Sequence, residues 1–287
     1  MLEPGGLRES RLVVPQDFDA DAFWRRALDG TDPRFGRFRA IFKRIPSAPR
    51  CKTCASPFAG AGGSVMRLLG KAPWEKNRNF CSACYQALQR TFGGAEIELT
   101  MLFADVRGST GLAEGMSATA FTALLNRFYR VAVDVLVEAD AIIDKFVGDE
   151  VVALFIPGLA GQRHARKAID AAAGLLRATG HEGAPWLPIG IGVHTGLAYV
   201  GAVGAEGQLT DFTALGDAVN ATARLASSAG PGEILASRAA AEAAELDMAG
   251  LPERVVDLRG RSQPMAAFVM GAARAPRAGK DGAGPAS

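Results

Sequence analysis

Apolar and polar positions change period several times along this chain, and each change predicts an element. Phe23, Trp24, Ala27 and Leu28 recur at helical spacing in an amphipathic stretch around 18–28, which predicts a short helix packed on the rest of the protein. A second amphipathic stretch covers about 35–42. From Glu96 onward, strand and helix patterns alternate. Residues 97–106 read as a strand, and 117–139 as a long helix with Phe121, Leu124, Leu125, Phe128 and Val131 on its apolar stripe and Ser117 as N-cap. Segments 141–146 and 151–155 read as strands joined at Gly148-Asp149, a short-range hairpin signal. An Ala-rich helix is expected over 162–179, and a second strand pair, 187–193 and 197–200, around Thr195-Gly196. A helix over 216–228 is closed by Gly230-Pro231-Gly232, and short strands are expected at 233–236, 254–258 and 267–270. The order strand–helix–strand–strand–helix–strand predicts an α+β, ferredoxin-like (split βαβ) domain.

Composition adds little to this picture and removes several classes. The 287 residues are 48% hydrophobic and 22% charged, as in soluble globular proteins. With 32 basic and 30 acidic residues the net charge is +2, which leaves no electrostatic footprint for nucleic acid or an anionic membrane. No apolar run reaches the roughly 18 residues of a membrane span; the longest candidate, 131–143, is interrupted by Asp134, Glu138 and Asp140. The N-terminus lacks the basic-then-apolar layout of a secretory signal, so a cytoplasmic location is expected.

All four cysteines fall in two C-x-x-C pairs, Cys51/Cys54 and Cys81/Cys84. In a reducing compartment this spacing points to tetrahedral zinc held by four thiolates. An iron–sulfur cluster and a redox-active dithiol remain open. The Gly-rich segment between the pairs can form the finger of a zinc ribbon, and without metal it has too little apolar material to fold alone. Its basic residues, Lys52, Arg67, Lys71, Lys76 and Arg78, are accounted for by a solvated face. The expected organisation is a helical segment over 1–48, a four-cysteine module over 49–92, the α+β domain over 95–271, and a disordered tail over 272–287, rich in Ala, Gly, Pro, Lys and Arg.

The candidate chemistry lies at strand ends. Asp105 and Asp149 each close an apolar strand-like run beside a Gly-containing turn. Two carboxylates brought to one place suit a pair of hard divalent cations, which support in-line displacement at phosphorus. The plainer alternative is that each Asp only begins a turn. Asn220 and Arg224 are one helical turn apart and share a helix face.

Three runs, Phe103-Ala104-Asp105-Val106-Arg107-Gly108-Ser109-Thr110, Lys145-Phe146-Val147-Gly148-Asp149 and Gly216-Asp217-Ala218-Val219-Asn220-Ala221-Thr222-Ala223-Arg224-Leu225, together resemble the class III adenylate/guanylate cyclase catalytic domain, over about 96–269. The resemblance implies that Asp105 and Asp149 hold two Mg²⁺ or Mn²⁺ ions with the Val106 carbonyl assisting. It implies that Gly108, Ser109 and Thr110 offer N–H groups to a triphosphate as the chain enters the long helix. Lys145 would read the purine by donating to adenine N1, Asn220 would orient the ribose, and Arg224 would stabilise charge on the α-phosphate. Strict adenylate-type members carry Asp where this chain has Thr213. A threonine hydroxyl still accepts a hydrogen bond, and a Thr-containing subgroup makes cyclic AMP.

The Glu and Cys usual in guanylate cyclases are absent, so the resemblance implies ATP as substrate, cyclic AMP and pyrophosphate as products, and a homodimer whose sites draw on both subunits. Guanylate cyclase and a non-catalytic nucleotide-binding regulator are the alternatives. Arg261, with Arg259, falls where the family often has a triphosphate-binding Lys. His194 reads as structural, and His164 and His181 as surface residues.

Overall fold

The computed structural model describes residues 19–45, 49–74, 77–90, 92–205, 210–257 and 264–272. Helices α1 (Ala20–Asp29) and α2 (Pro33–Phe42) open the described chain. The cysteine module follows with α3 (Gly60–Leu68), a two-stranded ribbon of β1 (Pro73–Trp74) and β2 (Asn77–Cys81), and α4 (Ser82–Arg90). The larger domain is built from β3 (Gly93–Val106), α5 (Ser109–Glu114), α6 (Ala118–Glu138), β4 (Ile142–Val147), β5 (Glu150–Phe155), α7 (Pro157–Ala160), α8 (His164–Ala178), β6 (Ile189–Gly204), β7 (Thr210–Leu215), α9 (Asp217–Ser228), β8 (Ile234–Ser237), α10 (Arg238–Ala243), β9 (Glu253–Val256) and β10 (Met265–Met270).

One eight-stranded sheet runs β4-β5-β3-β6-β8-β10-β9, with β7 paired to β6. Its first four strands have the split βαβ order, with β5 inserted between β3 and β4, so the α+β ferredoxin-like expectation holds. Alternation along β3 sends side chains to two cores. Leu102, Ala104 and Val106 face the layer of α6, α8 and α10, while Leu99, Met101 and Phe103 face α1, α9 and β7.

Several expectations change in detail. Segments 187–193 and 197–200 are not a strand pair around Thr195-Gly196; β6 runs unbroken through both and pairs with β3 from Gly93↔Ala202 to Val106↔Ile189. The polar residues that suggested a turn are satisfied by neighbouring side chains. Thr195 Oγ1 meets Thr100 Oγ1 at 2.7 Å and His194 Nδ1 meets Ser237 Oγ at 2.8 Å. On its other edge the second half of β6, Tyr199 to Gly204, pairs with β7, a strand the pattern did not announce. The Gly-rich stretch of the cysteine module is helix α3, with only a short ribbon after it. The Gly108-Ser109-Thr110 segment leads into the separate short helix α5, because the chain breaks before Ser117 caps α6 through the Ala120 N–H at 3.2 Å. His164 is buried against Thr100 (2.9 Å), and burial lowers its pKa. His181 is half-buried and meets Thr179 Oγ1 at 3.0 Å. Neither is a surface residue. Helix α1 packs as expected, with Trp24 fully buried and stacked on Phe212 of β7.

Candidate active site

Asp105 is the penultimate residue of β3, opposite Glu150 of β5 and Gly190 of β6. Asp149 sits in the two-residue turn between β4 and β5, where Gly148 takes φ +60, a conformation that favours glycine. The Tyr129 hydroxyl on α6 donates to the Gly148 carbonyl and its ring packs on Phe146 at 4.4 Å, so the turn is tied to the helix layer. The Asp105 carboxyl is raised above its usual range, chiefly by burial, with the neighbouring Asp149 adding to the shift and Arg107 opposing it. Glu150 is pushed up to about 7 by burial and by the same two carboxylates. Acidic groups converging in a partly desolvated corner repel one another unless a cation is shared. The donors are hard oxygens of the type that divalent Mg²⁺ or Mn²⁺ takes, so Asp105 and Asp149 fit such ions.

Arg107 bridges this corner to the end of α9. It pairs with the Asp105 carboxylate and donates to the Ser227 carbonyl at 3.0 Å. The seat of α9 depends on Gly192. A Cβ there would come within 2.3 Å of the Ala226 nitrogen and 2.7 Å of the Thr222 oxygen, so only glycine lets the helix backbone lie against β6. With Ala218, Ala221, Thr222, Leu225 and Ala226 buried, Asn220 and Arg224 are left on the exposed face.

The base-reading candidates meet within the one chain. Lys145 Nζ donates to Thr213 Oγ1 at 2.9 Å. The β4–β5 register slips between Ile143 and Lys145. This bulge places one extra residue on β4 and re-aims its side chains. As a result, consecutive residues Asp144 and Lys145 both reach Thr213, which neighbours on a regular strand could not do. Thr213 Oγ1 in turn donates to Asp144 Oδ2 at 3.0 Å, and Lys145 Nζ lies 3.6 Å from the same carboxylate oxygen.

The four cysteine sulfurs all lie within 4.8 Å of one another and are buried. Cys54 Sγ and Cys81 Sγ are 3.8 Å apart, close to the edge of a tetrahedron with metal–sulfur bonds of about 2.3 Å. The Cys81 N–H donates to Cys51 Sγ at 3.3 Å, and hydrogen bonds from its neighbours hold the Cys51 thiol well below its usual pKa. The set suits a single tetrahedral ion. A four-iron cluster, which places a whole iron–sulfur cube between its ligands, needs a wider cage.

The structure therefore brings Asp105 near Asp149, Lys145 onto Thr213, and the four cysteines together. Val106 is buried at the end of β3, and Gly108 is a left-handed N-cap of α5, with Ser109 and Thr110 in its first turn. Arg259 and Arg261 lie outside the described residues. Asp144, Arg107 and Tyr129 belong to the site and were not singled out from sequence. The signal for Asp144 was there: two adjacent charged residues, Asp144-Lys145, inside an apolar strand break its period of two.

Comparison with known proteins follows the same outline. The family described as the adenylate and guanylate cyclase catalytic domain matches residues 95–271. The adenylate cyclase of Anabaena cylindrica is 33% identical over 138 residues, covering 44% of this chain and 26% of that protein. Adenylate cyclase 1 of Rhizobium meliloti (strain 1021) is 34% identical over 144 residues, covering 47% of this chain and 22% of that protein. The chain thus spans about a quarter of the length of these curated relatives. Among solved structures, the guanylyl cyclase Cya2 aligns with TM-score 0.56 and 30% identity over 62% of this chain and 93% of that one. The adenylyl cyclase CyaB from P. aeruginosa aligns with TM-score 0.54 and 30% identity over 64% and 98%. Equal identity to an adenylyl and a guanylyl cyclase means that overall similarity does not choose the base; individual residues must.

Proposed function

The chain belongs to the adenylate and guanylate cyclase catalytic domain family, and from that premise we propose that it converts ATP to 3′,5′-cyclic AMP and pyrophosphate at the interface of a homodimer. The observation that carries this reading is the contact of Lys145 with Thr213. It sets an ammonium donor beside a hydroxyl oxygen, matching the N1 acceptor and 6-amino donor of adenine.

In this reading Asp105 and Asp149, with the Val106 carbonyl, hold two divalent ions. Such ions, when bound, lower the pKa of the ribose 3′-hydroxyl and offset triphosphate charge. Gly108, Ser109 and Thr110 turn backbone N–H groups toward the phosphates. Asn220 orients the ribose, and Arg224 meets the charge that grows on the α-phosphate. The exposure of Asn220 and Arg224, while Asp105 is engaged by Arg107 in its own protomer, supports a site completed by a second copy. One subunit would give the carboxylates and the other would give Lys145, Thr213, Asn220 and Arg224.

The four cysteines hold one Zn²⁺ in this proposal, and the module they organise tunes the base-reading strands. Support comes from contacts made by residues flanking the cysteines. Lys52 pairs with Asp140, at the start of the β4 segment, at 3.0 Å. Asn79 donates to the Val137 carbonyl. Tyr85 stacks on Trp74 at 3.5 Å and meets Phe212, the neighbour of Thr213, edge-on at 6.5 Å.

The test is cyclic nucleotide formation by the purified protein with Mn²⁺ and either ATP or GTP. Cyclic AMP from ATP, lost in Asp149→Ala, is the expected outcome. Cyclic GMP alone would overturn the assignment of substrate, and no product from either would favour a nucleotide-binding regulator.

A further inference from the structure

Thr213 alone cannot discriminate purines by hydrogen-bond direction. A free threonine hydroxyl rotates to donate or accept as its partner requires, so it would serve the 6-carbonyl of guanine as readily as the 6-amino group of adenine. The structure removes that freedom. The Asp144 side chain is only 3% exposed, its ionised carboxylate can only accept, and Oδ2 takes the Thr213 proton at 3.0 Å. The competing acceptor, the Ala214 carbonyl, is at 3.5 Å, the limit for a hydrogen bond. Lys145 occupies one lone pair of the same hydroxyl. What is left on Thr213 is one lone pair and no proton to give.

We infer that Asp144 is a specificity-determining positioning residue, which acts through Thr213 by holding its hydroxyl as an acceptor and so selects a purine with a 6-amino group over one with a 6-carbonyl. The inference rests on the proposed base-reading role of Lys145 and Thr213. Two features of the site agree with it. The bulge at Asp144 exists at the one place where it lets the carboxylate and Lys145 reach Thr213 together. In addition, Asp144 Oδ1 is buried without a hydrogen-bond partner among the described residues, a penalty that packing alone does not explain. The contact to Thr213 is also shorter than the contact to Lys145, so pairing with the lysine is the lesser of its two roles.

The experiment compares ATP with GTP in two ways on the full chain: competition against a fluorescent nucleotide, and kcat/KM for cyclic product. Asp144→Leu fills the site with a somewhat larger apolar side chain and removes the acceptor; the ATP-over-GTP ratio should fall about tenfold, the worth of one hydrogen bond whose direction is no longer enforced. Asp144→Asn, whose amide oxygen still accepts, should keep most of the ratio and controls for folding. In a Thr213→Val background, Asp144→Leu should leave the ratio unchanged. A loss of affinity equal for both nucleotides, or the same fall in ratio without the Thr213 hydroxyl, overturns the inference. Wild-type preference for GTP overturns the proposed substrate instead. Failure of the wild type to bind either nucleotide overturns both.

Discussion

Arg224 and Asp144 show how differently two charged residues can serve one site. Arg224 is exposed on α9, where it adds nothing to the fold that solvent would not supply. Arg224→Ala should therefore leave the melting temperature within a degree or two while lowering kcat on the order of 10²-fold or more, as read by cyclic nucleotide formation. Asp144 is the opposite case, a buried carboxylate whose pKa is raised to about 6, mainly by desolvation. Its folded-state pKa lies above the unfolded value, so the folded protein binds this proton more tightly. Stability from this group is present below about pH 4 and is lost as pH rises through about 6. The displacement from 3.8 to about 6 is worth roughly 3 kcal/mol. Denaturant melts of wild type and Asp144→Leu should therefore diverge between those pH values, with the variant gaining relative stability as pH rises. Parallel curves would mean that the carboxylate is better solvated than the packing shows. A residue that costs stability at neutral pH and stays in the site is consistent with a role in selection.

At the scale of elements, what matters is how closely backbones approach. The face of α9 that carries Asn220 and Arg224 is oriented by the contact of its backbone with Gly192. Gly192→Ala should push the helix off β6, cost about 1–3 kcal/mol by overpacking, and lower activity although no catalytic group is touched; thermal melting and turnover check both parts. The cysteine module is a second such element. Cys51→Ser should lower the metal content of the purified protein, measured by elemental analysis. It should also reduce cyclic nucleotide output through the Tyr85–Phe212 and Lys52–Asp140 contacts. Full activity in a metal-free Cys51→Ser protein would separate the module from the site. Helix and strand periods announced most of these elements. They missed α3, α4, α5, α7, β7 and α10. They also split β6, because buried polar residues such as Thr195 mimic a turn until partners such as Thr100 are seen.

For the whole molecule, the arrangement predicts complementation. If the carboxylates and the Asn220–Arg224 face serve opposite sites, Asp105→Asn and Arg224→Ala are each inactive alone, but a mixed dimer retains one intact site. Mixing equal amounts should recover about a quarter of wild-type activity, since half the dimers are mixed and each has one of two sites. No recovery would place both sets in one subunit. Among the described residues no helix is long and apolar enough to cross a membrane.

The sequence by itself determined what depends on local order. The strand and helix periods gave the split βαβ frame. Turn chemistry placed Asp149 at a hairpin, helical spacing put Asn220 beside Arg224, and the two C-x-x-C pairs marked a four-sulfur site. Those features are written in neighbours a few residues apart, where backbone geometry alone sets the outcome. Only the tertiary structure decided what depends on contacts between distant segments. The bulge that turns Asp144 and Lys145 to one side is visible only from the register of β4 against β5. The meeting of both with Thr213 requires β7, whose place beside β6 comes from pairing across the sheet. The direction of one hydroxyl proton, on which the proposed choice of base turns, follows from that meeting, because the acceptor-only carboxylate and the threonine come together only when the sheet closes over them.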